Sequence, residues 1–469
     1  MPSASTTSWL PDFVYRDGRF ESGRAIVCDD AGRVIAVTGR EEDLHAAIQL
    51  AARAVLPGLV NAHSHAFQRA IRGRTENRTA AGRDTFWTWR EAMYHAAVKL
   101  SPEDIYHVAR MAFLEMLLSG ITTVGEFHYL HHAADGVSYE ERNLLAHNVV
   151  RAAHEVGLRI ALQRTAYVRA GWNQPPNPLQ ARFITPRVED FIRDTDDLHD
   201  SLAARYASDR AWVSVAPHSI RAVPLEYLRE VRAYANQRDM KVHMHVAEQP
   251  AEIQACEGEY GERPFQLLRR CEILDASFTA IHAVHITDDE IAAIRESAAS
   301  ICACPTTERN LGDGIGPNSQ LASAGVPFCF GTDSNVQIDL LEDARQLEYH
   351  QRLRLLERAV LAPDISRDGL AARLFDYATQ AGAKSVGAPA VKLEPGGAAD
   401  FFAVDLNDPA IAGASPDALL SNIVFSGGRA AIREVFVGGK MVVSGGRHAL
   451  QEEITGNFAA VQRKLWGAA

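Results

Sequence analysis

Pro57-Gly-Leu-Val-Asn-Ala-His63-Ser-His65-Ala-Phe-Gln68-Arg-Ala70 runs from an apolar strand into two histidines and then into a long polar connection. His63 and His65 are two residues apart, so in an extended strand both imidazoles leave the same face. Two imidazoles on one face at a strand's end make half of a divalent metal site. A bare His-x-His also occurs as a surface pair or a hydrogen-bonded core pair. The choice between these readings rests on whether other strands end in matching His, Glu and Asp residues.

Outward from this stretch, residues 58–385 alternate apolar segments with amphipathic ones. Strand candidates fall at 58–62, 122–126, 159–163, 212–216, 241–246, 278–283, 300–304 and 327–331. Helical stretches lie between them, among them 102–119, 143–156, 225–238 and 263–271. Eight strands in regular alternation with helices predict a parallel (β/α)8 barrel, with its chemistry at the C-terminal strand ends. The two chain ends read differently. Short strands with tight turns at Asp17-Gly18 and Ala31-Gly32 precede the barrel, and strands at 400–404, 432–437 and 440–443 follow it. The expectation is an α/β metallo-hydrolase barrel over 58–388, with a small β-sandwich domain built from 1–57 and 389–469. The long connection at 67–99 carries Arg69, Arg72, Arg74 and Trp87-Thr-Trp89-Arg90. It reads either as a functional loop on the active face or as a solvated loop anchored by tryptophans.

At 469 residues the chain exceeds one compact core. Its formal net charge of -11 argues against nucleic acid or an anionic membrane as a general partner, since both need a basic face. No window approaches ~18 consecutive apolar residues, so no membrane span is expected. Residues 1–12 lack a basic region followed by an apolar core, so no signal peptide is expected. The six cysteines are scattered, which suits free buried thiols in a reducing, cytoplasmic setting. Cys302-x-Cys304 is half of a thiolate pattern, but no second pair lies nearby.

The polar residues fall at the expected strand ends. His128 and Tyr129 follow the second strand, and His218 and Arg221 the fourth. His243-Met-His245-Val-Ala-Glu248 ends the fifth, and His282 and His285 end the sixth. Cys304-Pro-Thr-Thr-Glu308-Arg309 follows the seventh, and Asp333 follows the eighth. Each has an ordinary reading alone: Asp333 as a helix N-cap, Glu248 as an acid favoured by a helix dipole. Together they form a set suited to metal-assisted hydrolysis. Three imidazoles and a carboxylate suit Zn²⁺ or a similar ion, and a bound ion lowers the pKa of water from ~15.7 to ~7. A nearby acid such as Glu248 can carry protons to a leaving nitrogen.

Pro57-Gly58, His63-x-His65, His245-x-x-Glu248, His282 and Asp333 resemble the amidohydrolase superfamily in its mononuclear deaminase branch. Four further stretches resemble the narrower family of N-formimidoyl-L-glutamate deiminases. They are Asn61 to Ala70, Phe86-Trp-Thr-Trp-Arg-Glu91, Ala216-Pro-His-Ser-Ile-Arg-Ala-Val223 and Cys304 to Gly314. The resemblance implies one zinc per chain on His63, His65, His245 and Asp333. It implies catalytic roles for Glu248, His282 and Asp333: Glu248 as proton shuttle, His282 beside the metal without ligating it, and Asp333 as first acceptor of the water's proton. It implies substrate contacts from Gln68, Arg90, Tyr129, His218 and Arg221, and a homodimer acting on a small molecule of histidine breakdown. Two arginines and a tyrosine fit a dicarboxylate, and anionic Glu248 and Asp333 fit a cationic amidine. Arg309 departs from the expected small residue, and it either alters carboxylate binding or points to solvent. A deaminase of guanine or a related ring would want an apolar aromatic slot, which the arginines oppose. A non-catalytic scaffold would have lost its ligands.

Overall fold

The computed structural model describes residues 6–80, 82–366 and 368–467; the expectation over residues 1–12 falls in part, at 1–5, outside the described residues. Eight parallel strands follow one another around a barrel: β1 Leu59–Ser64, β2 Ile121–His128, β3 Arg159–Ala166, β4 Ala211–Pro217, β5 Val242–Val246, β6 Phe278–His282, β7 Ser300–Ala303 and β8 Phe328–Phe330. Each pairs with its sequence neighbours. All of β1, β2 and β3 is buried, because the barrel interior covers one face and helices the other. The helix Pro102–Leu118 shows how local sequence starts a covering element. Ser101 and Asp104 form a reciprocal capping box, and Pro102 occupies the first turn, where its missing N–H costs nothing.

The ring closes between β8 and β1 through one bridge, Ser64 with Asp333. There the His65 N–H donates to the Asp333 carbonyl at 2.9 Å, and the Asp333 N–H donates to the His63 carbonyl at 3.0 Å. The joint between β4 and β5 is also thin: Val215 pairs with Val242, and the His245 N–H donates to the His218 carbonyl at 3.0 Å. Both thin joints carry the histidines singled out from sequence. Gly331 is required at the first of them, since a Cβ there would sit 2.6 Å from His63 Cβ and 2.8 Å from its carbonyl oxygen.

A separate nine-stranded sheet is built from the two chain ends. Its halves meet where Ile48–Pro57 pairs antiparallel with Phe401–Asp405, with Pro57 opposite Phe401 and Arg53 opposite Asp405. Ile48–Pro57 was not among the strands read from sequence. It runs almost directly into β1 across Gly58, where a Cβ would lie 2.3 Å from Thr122 Oγ1. Buried Arg159, at the start of β3, ties barrel to sheet by donating to Asp400 at 2.7 and 3.0 Å. The final helix Gln451–Trp466 returns to the barrel, where Trp466 Nε1 and Gln462 Nε2 both donate to the Ala70 carbonyl. All six cysteines are free, and five of them are buried. Among the described residues no helix is long and apolar enough to cross a membrane.

Candidate active site

The C-terminal ends of β1, β5 and β8 bring His63, His65, His245 and Asp333 together, all buried, with one donor atom from each within 4.8 Å of every other. Asp333 Oδ1 lies 3.1 Å from His63 Nε2 and 3.2 Å from His65 Nε2. The second nitrogens decide what this cluster fits. His65 Nδ1 meets the Phe127 carbonyl at 2.9 Å, and His245 Nδ1 meets the His218 carbonyl at 3.0 Å. A carbonyl only accepts, so each Nδ1 carries the proton and each Nε2 offers a lone pair to the centre. Burial pushes His63 down to about 3 and His245 well below its ordinary value, so both rings are neutral. Lone pairs converging on a buried carboxylate repel one another unless a cation lies between them, so the set fits a divalent metal.

Beside this cluster, Glu248 Oε1 is 3.7 Å from His282 Nε2. Burial lifts Glu248 to about 6, with His282 opposing and Asp333 adding to the shift. His282 is lifted to about 10; burial acts against that, but Glu248, Glu308 and Asp333 outweigh it. Its Nδ1 faces Glu308 Oε1 at 3.3 Å, and its Nε2 lies 3.8 Å from Asp333 Oδ2. The backbone carries strain here. Ala247, His282, Ala283, Asp333 and Asn335 all adopt φ between 46° and 73°, a left-handed conformation that non-glycine residues seldom adopt.

The pocket over the cluster is walled by Gln68, Trp89, Arg90, Tyr94, Tyr129, Tyr167, His218 and Arg221. Gln68 Nε2 donates to the Tyr129 hydroxyl at 2.8 Å. Arg90 lies over the Trp87 ring at 4.4 Å, and its Nε and Nη1 are buried without a partner among the described residues. Arg221 Nη1 donates to the Ala170 carbonyl at 3.2 Å. All nine metal and substrate candidates named from sequence, with Glu248 and His282, therefore line or floor one pocket.

The amidohydrolase family matches residues 54–442. The chain belongs to that family. It is a hydrolase of carbon–nitrogen bonds. Formimidoylglutamate deiminase of Pseudomonas aeruginosa is 40% identical over 393 residues, covering 83% of this chain and 84% of the relative. A crystal structure of an amidohydrolase from Brucella melitensis superposes with a TM-score of 0.89 at 33% identity, covering 98% of this chain and 99% of that one. An adenosine deaminase from Xanthomonas campestris with bound zinc superposes at 0.82 and 22% identity over 98% of this chain and 99% of that one, a likeness of fold.

Other sequence candidates of this amidohydrolase chain lie elsewhere. His128 sits beside the His131 ring, 5.7 Å away, and outside the pocket wall. His243 is held lower in the barrel by the Ser385 carbonyl at 3.0 Å, and His285 by the Asp313 carbonyl at 2.8 Å. Arg309 is turned outward, donating to Gln337 and facing Glu342, so it does not touch the pocket. The connection after β1 is ordered by Ala66–Ile71 and by the helix Phe86–Ala97, capped by Thr85 and Thr88. Three buried acids have roles that the sequence does not assign. Glu308 holds His282, Glu126 accepts the Ala66 N–H at 2.7 Å, and Glu252 accepts the N–H groups of Ala247 and Glu248 at 3.1 and 3.2 Å. Burial lifts both Glu126 and Glu252 to about 7. Glu308 and Glu252 have a short-range cue, such as the i, i+4 acid of Cys304-Pro-Thr-Thr-Glu308, whereas Glu126 has none, and no one of the three forms a metal-ligand pattern.

Proposed function

We propose that this chain is a zinc-dependent deiminase that hydrolyses N-formimidoyl-L-glutamate to N-formyl-L-glutamate and ammonia in histidine breakdown. The observation that carries the reading is the pair of arginines facing the His/Asp cluster across one pocket, with an edge of Arg90 left without a partner among the described residues. A buried guanidinium edge is stabilised by a carboxylate in bidentate geometry, and this substrate brings two carboxylates. The Pseudomonas aeruginosa relative supports the same choice.

His63, His65, His245 and Asp333 would hold one zinc, which supplies a Lewis acid and a water of lowered pKa when bound. Arg90 and Arg221 fix the carboxylate end, while Gln68, Tyr129 and His218 line the path between the two ends. Anionic Asp333 and Glu248 draw the cationic amidine to the cluster. Asp333 takes the first proton from the attacking water. Glu248, with a pKa near 6, accepts a proton at neutral pH and returns it to the departing nitrogen. His282, held on its far side by Glu308, keeps its Nε2 toward both acids and donates to the oxygen that attacks. Water adds to the imino carbon, the bond to the terminal nitrogen breaks, and ammonia leaves. The setting we propose is cytoplasmic and the assembly a homodimer.

The test is ammonia release from N-formimidoyl-L-glutamate beside N-formimidoyl-L-aspartate and guanine, with metal measured on the same sample. Turnover of the glutamate compound above the other two, with about one zinc per chain, is expected. Turnover of guanine alone would replace the reading with that of a ring deaminase.

A further inference from the structure

Behind the pocket wall lies a buried amide with no assigned task. Gln180 belongs to the short helix Pro178–Phe183 after β3 and is 1% exposed. Its Nε2 donates to the Tyr94 hydroxyl at 2.7 Å and to the Tyr167 hydroxyl at 2.7 Å. Both N–H groups of one amide are thereby committed to two tyrosines, themselves 2% and 1% exposed. Phe183, three residues on, packs its ring 5.6 Å from Tyr94 and 5.8 Å from Tyr167, so the brace and the wedge come from one turn.

The polarity of this contact has a consequence for the pocket. A phenol that accepts an N–H keeps its own O–H to give. Tyr167 and Arg221 lie in the same stretch of pocket wall. The two hydroxyl oxygens are 3.4 Å apart, so at most one of the two protons can be used between them. At least one O–H is left for a ligand, and both tyrosines line the pocket beside Arg90 and Arg221. Gln180 Oε1 has no partner among the described residues. The reverse amide orientation would instead strand an NH2 with two donors, a costlier arrangement.

We propose that Gln180 is a positioning residue that sets the Tyr94–Tyr167 pair as a hydrogen-bond donor toward a carboxylate held between Arg90 and Arg221. This rests on the dicarboxylate reading above and adds the residue that gives the wall its donor polarity. The end of the pocket formed by Arg90, Arg221, Tyr94 and Tyr167 is then rich in donors, which favours an anionic acceptor over an amide or a ring nitrogen that carries hydrogen.

The test is a pair of near-isosteric variants. Gln180→Glu reverses the polarity, because a carboxylate draws both hydroxyl protons to itself and adds a negative charge. Gln180→Met removes it. The expected result is a KM for N-formimidoyl-L-glutamate raised about 10- to 100-fold by Gln180→Glu and less by Gln180→Met, with kcat little changed. A packing role predicts the opposite order, since Met departs further from the shape of Gln than Glu does. That opposite order, or an unchanged KM in Gln180→Glu, overturns the proposal. If the wild-type chain releases no ammonia from the substrate, the functional reading fails separately. Calorimetric binding of glutarate, a plain dicarboxylate, then reads the wall by itself. Tenfold or greater weakening by Gln180→Glu supports the proposal, and no glutarate binding to wild type, or equal binding to both, overturns it.

Discussion

Arg90→Met should move stability and substrate binding in opposite directions. In the ligand-free protein Arg90 Nε and Nη1 are buried with no partner among the described residues. Each such donor costs about 1–3 kcal/mol, or ~2–6 kcal/mol for the two. The guanidinium recovers part of this from Trp87 at 4.4 Å and Tyr94 at 5.5 Å. At about 0.5–2 kcal/mol for each ring, that offsets ~1–4 kcal/mol. Midpoints leave the methionine variant about 1–2 kcal/mol more stable without ligand. With substrate present the balance inverts, because a bidentate charge-assisted contact is lost, and KM should rise about 100-fold. Thermal unfolding of the ligand-free proteins and steady-state ammonia release measure the two sides. The expected pair is a Tm equal to or above wild type with a much larger KM. A Tm several degrees lower with KM unchanged would make Arg90 a structural prop and refute the reasoning.

Glu248→Gln should retain its metal and lose about 10²- to 10⁴-fold in kcat, since only the proton carrier is removed; in wild type, kcat/KM should climb with pH through an apparent pKa near 6 as Glu248 ionises. Glu252 has a folded pKa of about 7 against an ordinary 4.5, so its carboxyl ionises first in the unfolded chain as pH rises. Its contribution is therefore fully present below pH ~4.5 and lost by pH ~7, and Glu252→Gln should flatten the fall of Tm between pH 5 and pH 8. Gly331→Ala places a Cβ 2.6 Å from His63 Cβ and should pry β8 from β1, lowering metal content and stability by about 1–3 kcal/mol, read by metal analysis and denaturant unfolding.

Much of this site could be read from the chain because barrel geometry turns sequence position into place. His63 and His65 share a face by the two-residue period of a strand, and His245, His282 and Asp333 were placed at strand ends by the alternation of strand and helix. What escaped depends on side-chain direction or on contacts distant in sequence. Arg309 follows the buried Glu308 directly yet points to solvent, and no periodicity distinguishes the two. Glu126 reaches Ala66 across 60 positions, and Gln180 reaches Tyr94 across 86. The strand Ile48–Pro57 was hidden because it lies almost end to end with β1, and only the close approach of Thr122 at Gly58 marks the boundary.

The most direct measurement is product analysis by mass spectrometry after hydrolysis of N-formimidoyl-L-glutamate in water enriched in ¹⁸O. The account predicts ammonia and N-formyl-L-glutamate in equal amounts, with one ¹⁸O in the formyl group, because Glu248 returns its proton to the terminal nitrogen. Labelled formamide with free L-glutamate would show that the other carbon–nitrogen bond breaks, and would contradict the deiminase mechanism.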